Sequence, residues 1–295
     1  MARKSFVREK RIYCGEEWLE VDIVPVTNMP EAGKEKERKS SQKQQNLNEK
    51  RSKRRFVQIA NSNFNEEDLH ISCTYDEKHL PETLEDADRI IHNYLNRVKR
   101  RMKKITGQDL KYMLVTEYTP EDEEGGQEED TDKRTKVVRL HHHIIINGGL
   151  PREDLEMLWS TTRINWNKAG EPGYRRGVDF LGFVNCDRLQ PNENGIEGLV
   201  NYINKRKKGC KKWSTSQNLI KPKVKKNDHK YSFKKIREYA QTPEDKEVWR
   251  KRYPGYEPTS INFQYNDYTG WSVYLRLRKV RDSRKWRNTS IAKTI

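Results

Sequence analysis

The run Arg139-Leu140-His141-His142-His143-Ile144-Ile145-Ile146-Asn147-Gly148 sets three of the chain's seven histidines against three isoleucines. Side chains alternate between the two faces of a strand, so His141 and His143 share one face and His142 points to the other. Two imidazoles placed this way can reach one metal ion. Upstream, KYMLVTEYT reads as a neighbouring strand, and its Glu117 offers a carboxylate that could complete the set. Two nitrogens and an oxygen, with positions left open for water or substrate, suit a catalytic divalent ion better than a structural one. Histidines on strands also pack or hydrogen-bond without any metal. The run by itself leaves both readings open.

Two further features carry chemistry. In GLVNYINKRKK, Tyr202 and Lys205 lie three residues apart and share one face of a helix, a phenol beside a cation. The stretch KRKKGCKKWSTSQNLIKPKVKK follows with almost no acid: Arg206, Lys207, Lys208, Lys211, Lys212 and Lys221 surround Trp213. Together with Arg139, that pattern fits a surface that tracks phosphates and stacks a base on an aromatic ring. The bland alternative is a solvated charge run.

These residues need a scaffold. DLHISCTYD (Asp68 to Asp76), KYMLVTEYT (Lys111 to Thr119) and TKVVRLHHHIIIN (Thr135 to Asn147) read as three strands. A short acidic loop, PEDEEGGQEEDTDK, joins the last two, which predicts an antiparallel pair. From Pro81, the residues Leu84, Ala87, Ile91, Tyr94, Leu95 and Val98 recur at helical spacing, with acids first and cations last. Shorter helices are expected over Pro151–Ser160 and Ile196–Lys208. The second half of the basic stretch Glu31–Arg55 is expected to be helical. RIYCGEEWLEVDIVPVT (Arg11 to Thr27) predicts a strand pair or edge arm. SINFQYNDYTGWSVYLRLRK predicts a hairpin around Asn266–Gly270.

Composition sets the outer limits. Charged residues make up 35% of the 295 and hydrophobic ones 33%, which implies one modest core wrapped in basic, partly extended polypeptide. The net charge of +16 attracts polyanions, nucleic acid foremost. No apolar run approaches the roughly 20 residues that span a bilayer, so a soluble intracellular protein is expected. Cys14, Cys73, Cys186 and Cys210 are scattered and form no CxxC pair, which predicts reduced thiols. No GxxxxGK[ST] loop occurs, so the chain carries no nucleotide-driven motor of that kind.

Taken together, RLHHHIIIN, HISCTYD and NYINK resemble the HUH endonucleases, and within them the rolling-circle replication initiators of phages and plasmids. The family combines a His-hydrophobic-His strand, an upstream strand ending in Thr-Tyr and a downstream Tyr-x-x-Lys helix, in that order. The likeness spans roughly residues 61–222, including SQNLIKP. It implies an α+β fold with a central antiparallel sheet, flanking helices, and basic extensions over 1–60 and 223–295. His141, His143 and Glu117 would hold Mn²⁺ or Mg²⁺, Tyr202 would attack DNA and Lys205 would contact the phosphate. The implied activity is nicking of single-stranded or hairpin origin DNA in the cytoplasm of a bacterial host, with a host helicase and replication proteins as partners. A single-tyrosine transposase or relaxase, or a non-catalytic basic nucleic-acid-binding protein, is the alternative. Two positions depart from the pattern. His142 stands where many members carry a bulky apolar residue. Arg206 stands where two-tyrosine members place the second phenol, so one tyrosine is implied.

Overall fold

A computed structural model describes residues 5–27, 42–117, 140–203 and 213–280. The fold is α+β, with two five-stranded antiparallel sheets and six helices among the described residues. The first sheet runs β6 (Val184–Arg188), β3 (Leu69–Thr74), β5 (His141–Ile146), β4 (Tyr112–Glu117) and β7 (Ser214–Thr215). β5 is its central strand, antiparallel to both neighbours, with His141 opposite Glu117 on one side and Thr74 on the other.

Both faces of this sheet are covered, which explains an unbroken isoleucine run in so polar a chain. Ile144 and Ile146 pack with α2 (Leu84–Thr106) and α3 (Arg152–Leu158) in a core containing Tyr94, Val98, Leu155 and Trp159. Ile145 faces the other way, with Met113 and Val115, against α1 (Gln42–Asn63) and α4 (Glu197–Ile203), which contribute Phe56, Ala60, Val200 and Ile203. Burying each isoleucine side chain is worth about 1.5–3 kcal/mol, so slipping the strand by one residue is strongly opposed.

The long helix follows its sequence signals. Thr83 caps α2 by accepting from the Asp86 amide, and Gly107 closes it at φ 71°, its backbone N–H donating to the Lys103 carbonyl. Its buried stripe is Ala87, Ile91, Tyr94, Leu95, Val98 and Met102.

The terminal regions build the second sheet. β1 (Ser5–Cys14) and β2 (Trp18–Thr27) form a hairpin, and β10 (Gly270–Lys279) pairs with β2, with Leu275 opposite Val21. The order is β8 (Lys223–Tyr231), β1, β2, β10 and β9 (Tyr256–Asn266). One face carries Val7, Leu19, Val21, Ile23, Val273, Leu275 and Leu277, which pack with Ile236 of α5 (Phe233–Tyr239) and Trp249 of α6 (Lys246–Arg252). The expectation of a single core is therefore overturned. Alternating strands need apolar residues on one face only, and two short helices cover that face, so a modest hydrophobic fraction suffices for a second core. The lysine-rich residues after Pro222 form β8 at the sheet's edge, where exposed lysines discourage pairing with another chain.

α1 joins the two sheets. Its apolar side faces Met113 and Val115, while Arg54 donates to Asp22 at 2.6 Å and to Glu20 at 2.7 Å on β2. Gln58 adds a bond to Glu20 at 2.8 Å, and Arg276 of β10 pairs with Glu197 at the start of α4. The second sheet thus buttresses the helix that carries Tyr202.

No helix among the described residues is long and apolar enough to cross a membrane. Cys14, Cys73 and Cys186 are buried free thiols. Burial pushes Cys14 and Cys186 each up to about 12, so neither is a thiolate at neutral pH. Cys210 lies outside the described residues.

Candidate metal centre

The sheet register brings the three expected ligands together. Glu117 and His141 face each other across β4 and β5, and His143 follows two residues on along the same face. His141 Nε2 is 3.3 Å from Glu117 Oε2, and His143 Nε2 is 3.6 Å from the same oxygen. One donor atom from each side chain lies within 4.8 Å of the other two. Metal–ligand bonds of about 2.0–2.2 Å can be made to three atoms this close without rebuilding the sheet. The group could hold a metal ion.

The surroundings prepare the ligands. His143 is buried, and burial holds its basicity down to about 3, with His70 and His141 beside it acting in the same direction. Its imidazole is therefore neutral at pH 7, as a ligand must be. His143 Nδ1 lies 3.2 Å from His70 Nε2, and the two rings stack. For Nε2 of His143 to present a lone pair towards Glu117, Nδ1 must carry the proton and donate it to His70, the outer support that metal-bound histidines commonly have. His70 was not singled out in the sequence. Its position two residues before Ser72, the partner of His143, becomes meaningful only once the register is known.

His142 has a different role. It is fully buried on the opposite face, with Nε2 2.8 Å from the Tyr75 hydroxyl and Nδ1 2.9 Å from Thr116 Oγ1. Both ring nitrogens are engaged, so the pair that could hold a metal ion with Glu117 is His141 and His143. The Thr-Tyr pair of HISCTYD is explained as well: Thr74 ends β3, and Tyr75 turns inward to hold His142.

Tyr202 sits in the last turn of α4, 56% exposed, its ring edge-on to His143 with centroids 5.8 Å apart. The helix reaches this spot because Val200 and Ile203 are buried against Phe56 and Ile145, leaving Tyr202 on its open side.

The same row of the sheet ends in an unforeseen aromatic. Thr74, opposite His141, exchanges hydrogen bonds with Phe183, which accepts from the Thr74 amide at 2.9 Å. Phe183 is 68% exposed. A side chain on the preceding Gly182, at φ 156°, would stand 2.4 Å from the Thr74 carbonyl oxygen, so glycine lets this segment close tightly on β3.

The basic residues divide differently. Lys221 is exposed. Trp213 is half-buried, edge-on to Phe56 at 5.4 Å, with its indole N–H donating to Ser52 Oγ. These contacts anchor the ring to α1. Arg139, Lys205, Arg206, Lys207, Lys208, Lys211 and Lys212 lie outside the described residues, as does the acidic loop between β4 and β5. In comparisons by sequence and by fold, no family model, curated protein or solved structure matches this chain.

Proposed function

We propose that the protein nicks single-stranded DNA by metal-assisted transesterification, with Tyr202 as the nucleophile, as a rolling-circle replication initiator does. The observation that carries this reading is the position of an exposed phenol against a ligand of a His/His/Glu cluster. Glu117, His141 and His143 would hold Mn²⁺ or Mg²⁺, a choice that a mixed nitrogen and carboxylate set with open positions accommodates. When bound, the cation supplies orientation of the scissile phosphate and offsets charge on its non-bridging oxygens.

The chain's own residues do the rest. Tyr202 Oη forms a bond to phosphorus as the bond to the 3′ oxygen breaks. The phenol gives up its proton and the departing 3′ oxygen gains one. The product is a free 3′ hydroxyl and a 5′-phosphotyrosine, which keeps phosphodiester energy for later rejoining by a 3′ hydroxyl. A phenol, with a pKa of about 10, leaves more readily than an alkoxide in that return step. Lys205, three residues on, is assigned the phosphate. Phe183, exposed in the ligand row, offers a base a stacking surface. Origin hairpins and a host helicase are the partners this reading assigns.

The test is direct. Labelled single-stranded origin candidates are incubated with the protein and Mn²⁺ and resolved on a denaturing gel. A covalent protein–DNA species that EDTA abolishes is expected. Cleavage that leaves a free 5′ phosphate and no adduct would assign water as the nucleophile. Metal-independent binding without cleavage would leave only a basic nucleic-acid-binding protein.

A further inference from the structure

A cleft lies on the other side of the sheet that carries Glu117, His141 and His143. α2 packs on the face that carries His142, Ile144 and Ile146, away from the metal ligands. Along its outer edge Ile90, Asn93, Arg97 and Arg100 form one helical stripe. With Ser160, Thr161 and Leu181 they line an open cleft of about 360 Å³.

The charges in this cleft are unbalanced. Arg97 Nη1 donates to the Ser160 carbonyl, while its Nε is buried without a hydrogen-bond partner. Among the described residues, Arg100 Nε donates only to the Asn96 carbonyl of its own helix. Neither guanidinium has a carboxylate partner among the described residues, whereas the adjacent Arg101 is paired with Asp154 at 2.7 Å. Asp179, bonded to Thr161 of the cleft lining, also accepts from Lys78 and His79 and is already engaged. Burial weakens the hold of Arg97 on its proton, and the charge of Arg100 adds to that effect. Two like charges on one stripe, one of them half-buried, cost free energy until an anion joins them.

We propose that this cleft binds a phosphate-bearing group, with the phosphate between Arg97 and Arg100 and the organic part against Ile90 and Leu181. Two guanidinium forks are suited to phosphate oxygens, the Asn93 amide can read a polar edge, and the two aliphatic side chains give a face for a sugar or base. A nucleic-acid strand and a free nucleotide both present this chemistry. The inference stands whether or not Tyr202 is a nucleophile, because it uses no residue of the metal centre.

Calorimetry on the full chain in EDTA-containing buffer tests it without any turnover. The probes are deoxyadenosine monophosphate, deoxyadenosine and a short single-stranded oligonucleotide. The variants are Arg100→Glu and Arg97→Gln. Each lost charged hydrogen bond should weaken phosphate binding by about tenfold or more. Among the described residues Arg100 makes no tertiary hydrogen bond, so Arg100→Glu carries the test if Arg97→Gln fails to fold. If oligonucleotide affinity falls in the variants and its salt slope drops by about one, the occupant is a strand phosphate. If only monophosphate binding falls, it is a free nucleotide. The site is overturned if neither phosphate probe binds the parent protein, or if the variants bind both as the parent does. Deoxyadenosine binding as tightly as its monophosphate would also overturn it.

Discussion

The ring of Tyr202 stands edge-on to the ring of His143, 5.8 Å between centroids and 72° between planes. The two residues lie on different elements, a short helix and a central strand, and touch because α4 docks on the face that carries Glu117, His141 and His143. Replacing Tyr202 with Phe keeps that contact and removes only the hydroxyl. The expected result is complete loss of the covalent DNA species on a denaturing gel, with oligonucleotide affinity unchanged. An adduct that survives would take Tyr202 out of the nucleophile's role.

The three adjacent histidines should separate cleanly by function. His141→Ala and Glu117→Gln should each weaken Mn²⁺ binding, read by calorimetry, with little loss of stability. His70→Ala should cost metal affinity about 10–100-fold, because His70 only orients His143. His142→Ala should leave Mn²⁺ affinity as it is. It should lower stability by about 2–4 kcal/mol in urea denaturation, since it empties a buried site and strips Tyr75 and Thr116 of their partner. Metal loss in the His142 variant would mean that the opposite face contributes a ligand.

Phe183, whose backbone bonds to Thr74 across from His141, exposes a large apolar ring. Phe183→Ala should reduce single-stranded DNA affinity by about 1–3 kcal/mol and leave thermal stability nearly unchanged. Phe183→Tyr should restore binding, because it keeps a stacking face. Equal affinities for all three proteins would assign the exposed ring no role in binding.

Glu9 holds together the buried polar cluster of the second sheet. It accepts from Tyr253 at 2.6 Å, Lys230 at 2.7 Å and Arg11 at 2.9 Å. Burial alone would raise its pKa, but the bonds from Lys230 and Tyr253 and the charge of Arg11 hold it below the ordinary 4.5. A carboxylate depressed in the folded state stabilises fully above its ordinary value. That contribution disappears as pH falls through the lowered one. Glu9→Gln should therefore cost about 3 kcal/mol near neutral pH, by leaving two cations without their anion, and should flatten the loss of stability below about pH 4.5. Urea denaturation across that pH range measures both effects. A variant as stable as the parent at pH 7 would contradict this account.

Much of the half that carries the candidate metal centre was legible in the chain itself. Alternation along a strand is a property of local backbone geometry, so His141 and His143 could be assigned to one face, and Glu117 to a neighbouring strand, before any coordinates. The long helix over Leu84–Thr106 announced itself through a cap, a stripe and charged ends, all of which act within a few residues. β6, β8, α5 and α6 did not. Their residues are short or lysine-rich, and partners distant in sequence hold them in place.

What local pattern determined, then, was which side chains share a face and which segments extend or coil. Tertiary structure alone decided that β2 and β10, far apart in sequence, pair in one sheet, that His142 bonds inward to Tyr75, and that His70 supports His143. It also decided that Tyr202 comes to rest against His143 and that Phe183 bonds to Thr74, the strand partner of His141. The physical reason is that register between strands, and docking of a helix on a sheet, are fixed by burial and hydrogen bonds between residues far apart in sequence. No window of neighbouring residues contains that energy.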